Sequence, residues 1–301
     1  MTNRMKSAIY VNGHKIEMDY PQFNGGERNI RLPDEVMSVS FSSNPSDYVF
    51  NVHALLFDSN SVMDLLLVCD AVKRISRFSA IGTLTVPYVP YSRQDRVCNK
   101  GEAFGLKVFC DLINSIGAHL VVIYDPYSDV TPALINNVEV WSQDKIVAEI
   151  LYQNEDIHTI EKSSYTLPIE FVKYCKDVVV ISPDGGAIKK AKNIAKSAVN
   201  ARLEIAGKIR DVTDGSITGI FFNPSKSIDA KNCLIPDDIS DKGMSFYYLS
   251  NHIRDKHNPD NIGLLITHGL FVDGVEKLYE SIDDIFTINY TVPNELRIIR
   301  L

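Results

Sequence analysis

Residues 232–245, NCLIPDDISDKGMS, carry the densest chemistry in the chain. A short apolar run at 232–236 ends in two adjacent carboxylates, Asp237 and Asp238, and a loop of Ser, Asp, Lys, Gly, Met and Ser follows. The run reads as a strand, which puts both aspartates at its carboxyl end, where open α/β sheets bind ligands. Paired carboxylates accept hydrogen bonds from neighbouring hydroxyls and suit the cis-diol of a ribose. Gly243 lets the next turn bring successive backbone N–H groups onto an anion, as a phosphate requires. A ribose phosphate held at both ends is the ligand this chemistry predicts, against the plainer reading of a solvated strand-to-helix turn.

A second constellation lies in VPYVPYSRQDR, residues 86–96. Arg93, Gln94 and Arg96 fall within four residues and make a compact donor set for phosphate or purine. Guanidinium groups pair bidentately with phosphate oxygens. In isolation the loop reads more readily as a solvated charged turn.

The elements that must position these residues alternate in type. Strand-like runs at 48–53, 81–89 and 119–124 are separated by helical patterns at 60–76 and 102–115. In the first helix Val62, Leu65, Leu66, Cys69, Val72 and Ile75 recur near a 3.6-residue period after Asn60 as cap. Gly117 ends the second as a C-cap glycine would. The second half repeats the rhythm, with strands at 177–182, 232–236, 262–267 and 285–290 and a lysine-rich helix at 186–199. Alternation of this kind predicts an α/β fold, a parallel sheet with helices on both faces. The polar stretch 153–164 marks a boundary between two α/β domains, 1–152 and 153–301.

Composition narrows the function classes. With 301 residues, 45% apolar and 23% charged, the chain is long and apolar enough for one large or two ordinary domains, each with its own core. A formal net charge of −7 argues against a nucleic-acid binder, which would carry a basic patch or stripe. The five cysteines are scattered with no CxxC spacing, so neither disulfides nor a zinc site is expected. No run approaches membrane-spanning length, and the first residues lack a signal-peptide core, so a cytoplasmic protein without membrane partners is expected.

The acidic segment resembles the phosphoribosyl pyrophosphate (PRPP) loop of type I phosphoribosyltransferases and of ribose-phosphate pyrophosphokinases. The loop at 87–96 and the helix VMDLLLVCDAVKRIS before it resemble the pyrophosphokinases closely. Other blocks follow in that family's order. Phe23-Asn24-Gly25-Gly26-Glu27 is similar to its F-S-D-G-E element and Asp125-Pro126-Tyr127-Ser128 to its D-L-H-A metal segment. Ser182-Pro183-Asp184-Gly185-Gly186 resembles S-P-D-x-G-G, Lys208-Ile209-Arg210 the K-x-R of the mobile catalytic loop, and Thr267-His268-Gly269 the late T-H-G block. The resemblance implies two type I phosphoribosyltransferase-like domains, an N-terminal one for ATP and a C-terminal one for ribose phosphate. It implies Mg2+-dependent transfer of diphosphate from ATP to the anomeric hydroxyl of a ribose 5-phosphate, releasing AMP.

The roles implied are these. Phe23, Glu27, Arg93, Gln94 and Arg96 hold ATP; Asp184 and Asp125 face Mg2+; Lys208 and Arg210 close over the moving diphosphate. Asp237 and Asp238 take the ribose diol, and Asp241, Lys242, Gly243, Met244 and Ser245 take the 5-phosphate. A homo-oligomer is implied, because the family usually completes its ATP site with a neighbouring subunit.

Departures from the pattern refine the expectation. Tyr127 replaces the metal histidine, so Asp125 or Asp129 compensates, or Asp184 and the nucleotide hold the metal. Gly25 stands where the family has an aspartate, and the phosphate loop reads D-K-G-M-S where D-T-G-G-T is usual. Lys242 adds charge that a second phosphate would use, so the acceptor is either ribose 5-phosphate or ADP-ribose, the latter by resemblance to divergent enzymes of phage NAD-rebuilding pathways. A catalytically weak regulatory subunit is the alternative, which retention of Lys208 and Arg210 opposes. A phosphoribosyltransferase would leave the RQDR loop without a role.

Overall fold

The computed structural model describes residues 7–17, 23–39, 49–76, 80–153, 169–175, 177–210, 217–290 and 298–300. The chain divides into two compact units between Trp141 and Ser142. That division falls one helix before the polar stretch expected to hold the boundary, of which residues 154–164 lie outside the described residues.

In the first unit, Asn12 and Gly13 both adopt positive φ, 46° and 83°. This is the turn chemistry that closes a tight hairpin, here joining β1 (Ala8–Val11) to β2 (His14–Ile16). The hairpin leads through α1 (Asp34–Val39) into β3 (Phe50–Leu55), α2 (Ser59–Ile75), β4 (Ile81–Val86), α3 (Gly105–Ile116), β5 (Leu120–Tyr124), α4 (Val130–Leu134) and β6 (Val138–Trp141). The sheet order is β2-β1-β3-β4-β5-β6, parallel from β3 to β6 and antiparallel in the hairpin. Helix α2 begins in a reciprocal cap, with Asp58 accepting from the Ser61 N–H at 2.8 Å, and buries Val62, Leu65, Val68, Cys69 and Val72. Gly117 ends α3 at φ 66°, as its position predicts.

The second unit comprises α5 (Gln143–Gln153), α6 (Ile169–Val172), β7 (Val178–Ser182), α7 (Ile188–Asn193), β8 (Arg202–Arg210), β9 (Ile217–Phe222), β10 (Asn232–Ser240), α8 (Met244–Lys256), β11 (Asn261–Gly269), β12 (Asp284–Tyr290) and β13 (Ile298–Arg300). Its sheet runs β13-β12-β11-β10-β7-β8-β9, and only β8 and β9 pair antiparallel. Strand β7, VVVIS, is buried throughout, as a central strand covered on both faces must be. One apolar cluster packs under α8; the other joins Val147 of α5, Ala191 of α7 and the aromatic group Phe171, Tyr174 and Phe286. Among the described residues no helix is long and apolar enough to cross a membrane.

From β7 the chain crosses to β8 on one side of the sheet and returns to β10 on the other. The crevice outside the carboxyl ends of β7 and β10 is therefore a topological switch point, the place where such sheets bind ligands. One expectation needs correction here: β10 does not stop at Pro236 but runs to Ser240, so Asp237 and Asp238 lie inside the strand. The expected helix at 186–199 is also shorter. It starts at Ile188, and its last turn widens so that the Val199 N–H donates to the Ile194 carbonyl at 3.2 Å.

Candidate functional site

Each unit carries its own group of candidate residues. In the second unit Asp184 lies just past β7 in a turn closed by Ser182, whose hydroxyl donates to the Asp184 carbonyl at 2.8 Å. One Asp184 carboxyl oxygen accepts the N–H groups of Gly186 and Ala187 at 2.9 and 3.1 Å. The other takes the Lys208 ammonium at 2.8 Å. Burial alone would raise the Asp184 pKa, but the Lys208 hydrogen bond and charge and the two amides outweigh it and hold the carboxyl below its ordinary range. Alternation along β8 turns the Lys208 side chain inward, 8% exposed and over the Phe246 ring at 5.8 Å, and leaves its neighbour Ile209 exposed. The main chain of Arg210 closes β8, while its side chain lies outside the described residues.

The acidic pair sits on the adjacent strand. Asp237 accepts the Asp238 N–H at 2.9 Å, and Asp238 accepts the Ile239 N–H at 2.8 Å. Burial pushes the Asp237 pKa well above its ordinary value, and the charge of Asp238, a hydrogen bond between the two carboxyl groups and the charge of Asp184 add to the rise. Cationic or hydroxyl-donating partners, by stabilising the charged form, would oppose that rise.

Loop 241–243 runs from the pair straight into α8. Gly243 has φ 74°, and a Cβ there would lie 2.9 Å from Leu278 Cδ1, so glycine is required by both backbone and space. Helix α8 has no side-chain cap; the Phe246 and Tyr247 N–H groups turn back to the Gly243 carbonyl at 3.0 and 3.1 Å. An uncapped helix start offers its first N–H groups and positive dipole end to an anion. Met244 and Ser245, half-buried, form that first turn, and the Asp241 carbonyl accepts the Val272 N–H at 3.0 Å. Lys242 is exposed and pairs with the equally exposed Asp273 at 3.2 Å, a solvated contact that is readily broken.

In the first unit the RQDR loop alternates buried and exposed side chains. Ser92 and Asp95 are buried, whereas Arg93, Gln94 and Arg96 are exposed. Asp95 bonds the Arg96 Nε at 2.9 Å; burial works against its charge, but the guanidinium prevails and keeps its pKa low. Tyr91 takes a left-handed φ of 62° while its hydroxyl meets that of Ser59 at 2.7 Å. Gly105 opens α3, and a Cβ there would lie 2.1 Å from the Gln94 Oε1, so only glycine lets the Gln94 amide cross the start of that helix.

Phe23, exposed, heads a tight turn in which the Gly26 N–H donates to its carbonyl at 2.8 Å and its own N–H donates to Glu27 at 3.0 Å. Arg28, next to Glu27, pairs with the buried Asp64 of α2 and ties the turn down. Asp125 is buried at φ 35°, its N–H donating to the Trp141 carbonyl at 2.9 Å, and Tyr127 is exposed beside it. Among the described residues no group of three or more His, Cys, Asp or Glu is gathered for a metal ion. Gln143, which no motif singles out in the sequence, contacts the acidic strand, its amide donating to the Asp237 carbonyl at 2.8 Å.

Comparison with known proteins gives this arrangement a family. Residues 6–117 match the model of the N-terminal domain of ribose phosphate pyrophosphokinase. A ribose-phosphate pyrophosphokinase of Mycoplasma pneumoniae is 30% identical over 250 residues, covering 83% of this chain and 67% of that protein. Its counterpart in Mycoplasma genitalium is 29% identical over 276 residues, covering 90% and 74%. The crystal structure of phosphoribosylpyrophosphate synthetase from Mycobacterium smegmatis shares the fold, with a TM-score of 0.60 at 20% identity over 90% of this chain and 92% of that one. The order of blocks read from the sequence, the two mostly parallel sheets and the identity to the first of these relatives agree: the chain belongs to the ribose-phosphate pyrophosphokinase family of enzymes.

Proposed function

We propose that this protein transfers a diphosphate from ATP to the anomeric hydroxyl of a ribose 5-phosphate moiety and releases AMP. The observation that carries the reading is one short stretch of chain, in which the acidic pair of β10 leads through a three-residue loop into the uncapped start of α8. Asp237 and Asp238 accept hydrogen bonds from the ribose hydroxyls, and the first N–H groups of α8 bind the 5-phosphate. The anomeric oxygen attacks the β-phosphorus of ATP and loses its proton, and the bond from that phosphorus to the α–β bridging oxygen breaks. Lys208 and Arg210 counter the charge that develops on the moving group, which is where preorganised cations contribute most. Arg93, Gln94 and Arg96, with Phe23 and Glu27, bind ATP, and a neighbouring copy of the chain contributes to that site.

Asp184 suits magnesium, being an ionised oxygen donor, a third exposed, with no protein cage around it among the described residues. Magnesium uses one or two carboxylates plus substrate phosphates and keeps its waters. When bound, it would supply charge shielding along the triphosphate. To take part, Asp184 must give up Lys208, which frees the lysine for the diphosphate. Asp125 of the first unit, buried and hydrogen-bonded, is the other carboxylate we assign to magnesium binding.

The acceptor is ribose 5-phosphate or ADP-ribose, and Lys242 distinguishes them. Incubation with ATP and magnesium and either acceptor, followed by AMP release and product mass, tests the reading. A gain of one diphosphate on an acceptor supports it, and AMP from neither acceptor refutes it. If ADP-ribose is used, Lys242→Ala should raise its KM several-fold and leave that of ribose 5-phosphate unchanged, since only the longer acceptor brings a second phosphate.

A further inference from the structure

Tyr91 enters the RQDR loop in a conformation that its side chain disfavours. Its φ is 62°, in the left-handed region, which a bulky residue occupies only where its surroundings hold it. Glycine would adopt that φ freely, so forming the turn does not by itself explain a tyrosine. Nor does burial, since Tyr91 is 37% exposed.

The contacts of the side chain do explain it. Its hydroxyl meets that of Ser59 at 2.7 Å. Ser59 is the first residue of α2, directly after the Asp58 cap, so this hydroxyl stands on a helix start that is itself fixed. The Tyr91 ring turns to the other helix. A Cβ on Gly105, the first residue of α3, would lie 3.3 Å from Tyr91 Cδ1, and the ring tilts against that of the buried Phe109 with centroids 6.4 Å apart. One side chain thus spans the starts of α2 and α3. Its main chain carries the loop. The Tyr91 carbonyl accepts the Gln94 N–H at 2.8 Å, and the Gln94 carbonyl accepts the Leu106 N–H of α3 at 3.2 Å. Arg93, Gln94 and Arg96 stand exposed on this frame.

We infer that Tyr91 is the positioning residue of the RQDR loop: it braces a left-handed turn between α2 and α3 and so sets where Arg93, Gln94 and Arg96 meet the phosphates of a nucleotide. This rests on the ATP-binding reading of that loop. Without the brace the turn relaxes, and the three side chains lose their common register.

Ser59→Ala and Tyr91→Phe each remove the same hydroxyl contact, and the double variant completes a cycle in the full-length protein. Each single change should raise the KM for ATP about 3- to 10-fold, the net effect of one hydrogen bond. The kcat and the acceptor KM should stay unchanged, because a ground-state binding contact is what is lost. The double variant should be no worse than either single one. Tyr91→Gly, which suits the φ but removes the brace, should raise the KM for ATP about 10- to 100-fold, the effect of misplacing binding groups by about 1 Å. Calorimetric ATP affinities should follow the same order without need of turnover. Losses that add in the double variant, or KM values for ATP and acceptor that rise together, overturn the inference. If the parent binds no ATP, the nucleotide reading falls and amide hydrogen exchange decides the brace: faster exchange at the Gln94 N–H in the variants upholds it, and unchanged exchange overturns it. Should Tyr91→Gly fail to fold, the cycle decides alone.

Discussion

Replacing Lys208 by methionine tests the electrostatics of the site most directly. The side chain is 8% exposed, and it ends 2.8 Å from Asp184, whose carboxylate is 33% exposed. Removing one partner of a fully buried ion pair costs about 3–5 kcal/mol. Two features lower that figure here. Asp184 keeps the Gly186 and Ala187 amides at 2.9 and 3.1 Å, and a third of its surface is open to water, which screens the charge. A loss of about 1–3 kcal/mol at neutral pH is therefore expected, in the range for a single charge-assisted hydrogen bond. The pH dependence gives the sign. The folded pKa of Asp184 is depressed, so the pair contributes its stability above the unfolded carboxylate pKa and loses it as pH falls through the lower folded value. Urea titrations of both proteins across that range should show a gap that is full near neutrality and closes in acid. Diphosphate transfer by the variant should fall about 10²–10³-fold, as when one preorganised stabilising group is deleted. A stability gap independent of pH would refute the Lys208–Asp184 assignment, and activity within tenfold of the parent would refute the catalytic role.

Two other substitutions have clear signs. Asp237→Asn removes a carboxyl whose pKa is raised by burial and by Asp238, so the ligand-free protein should gain about 1 kcal/mol near neutrality. That advantage should shrink as pH falls toward the ordinary carboxylate pKa, where the parent is protonated folded and unfolded alike, and calorimetry should find acceptor binding lost at every pH. Gly243→Ala meets both the left-handed φ of 74° and Leu278 at 2.9 Å, and should cost about 1–3 kcal/mol in thermal unfolding. It should also weaken the acceptor's 5-phosphate contact more than ATP binding.

The strands that read clearly in sequence are those buried on both faces, because their apolar runs leave no other interpretation. VVVIS in β7 and the run of β11 are examples. The N-terminal hairpin went unread although Asn12-Gly13 is a strong turn signal, because its strands are only four and three residues long. Strand β6, VEVW, is as short, and its exposed Glu139 and Trp141 give it the look of a loop. The β8–β9 hairpin is hidden by its chemistry: strand β8, RLEIAGKIR, mixes charge into alternation because Lys208 and Glu204 turn inward to partners that only the fold supplies. The candidate residues of the second unit, of which Asp184 and Lys208 prove to pair, were legible by type and spacing. Gln143 was not, since its partners are backbone carbonyls and a hydroxyl more than ninety residues away in sequence.

Asp184 and Asp237 have pKa values shifted in opposite directions, and that contrast suggests an order for the proposed reaction. Asp184 is satisfied in the resting protein by a lysine and two amides, whereas Asp237 shares its surroundings with Asp238 and lacks a comparable cation. A sugar that donates two hydroxyls to the acidic pair relieves its repulsion at once. A cation at Asp184 gains less, since it must displace Lys208 to bind. On the proposed reaction, acceptor hydroxyls would offset the burial and neighbouring charge that raise the Asp237 pKa, whereas Lys208 would leave Asp184 only for another anion. The lysine would then become free to stabilise transfer as the diphosphate arrives, and its buried ammonium would pass from one anion to the next without standing unpaired.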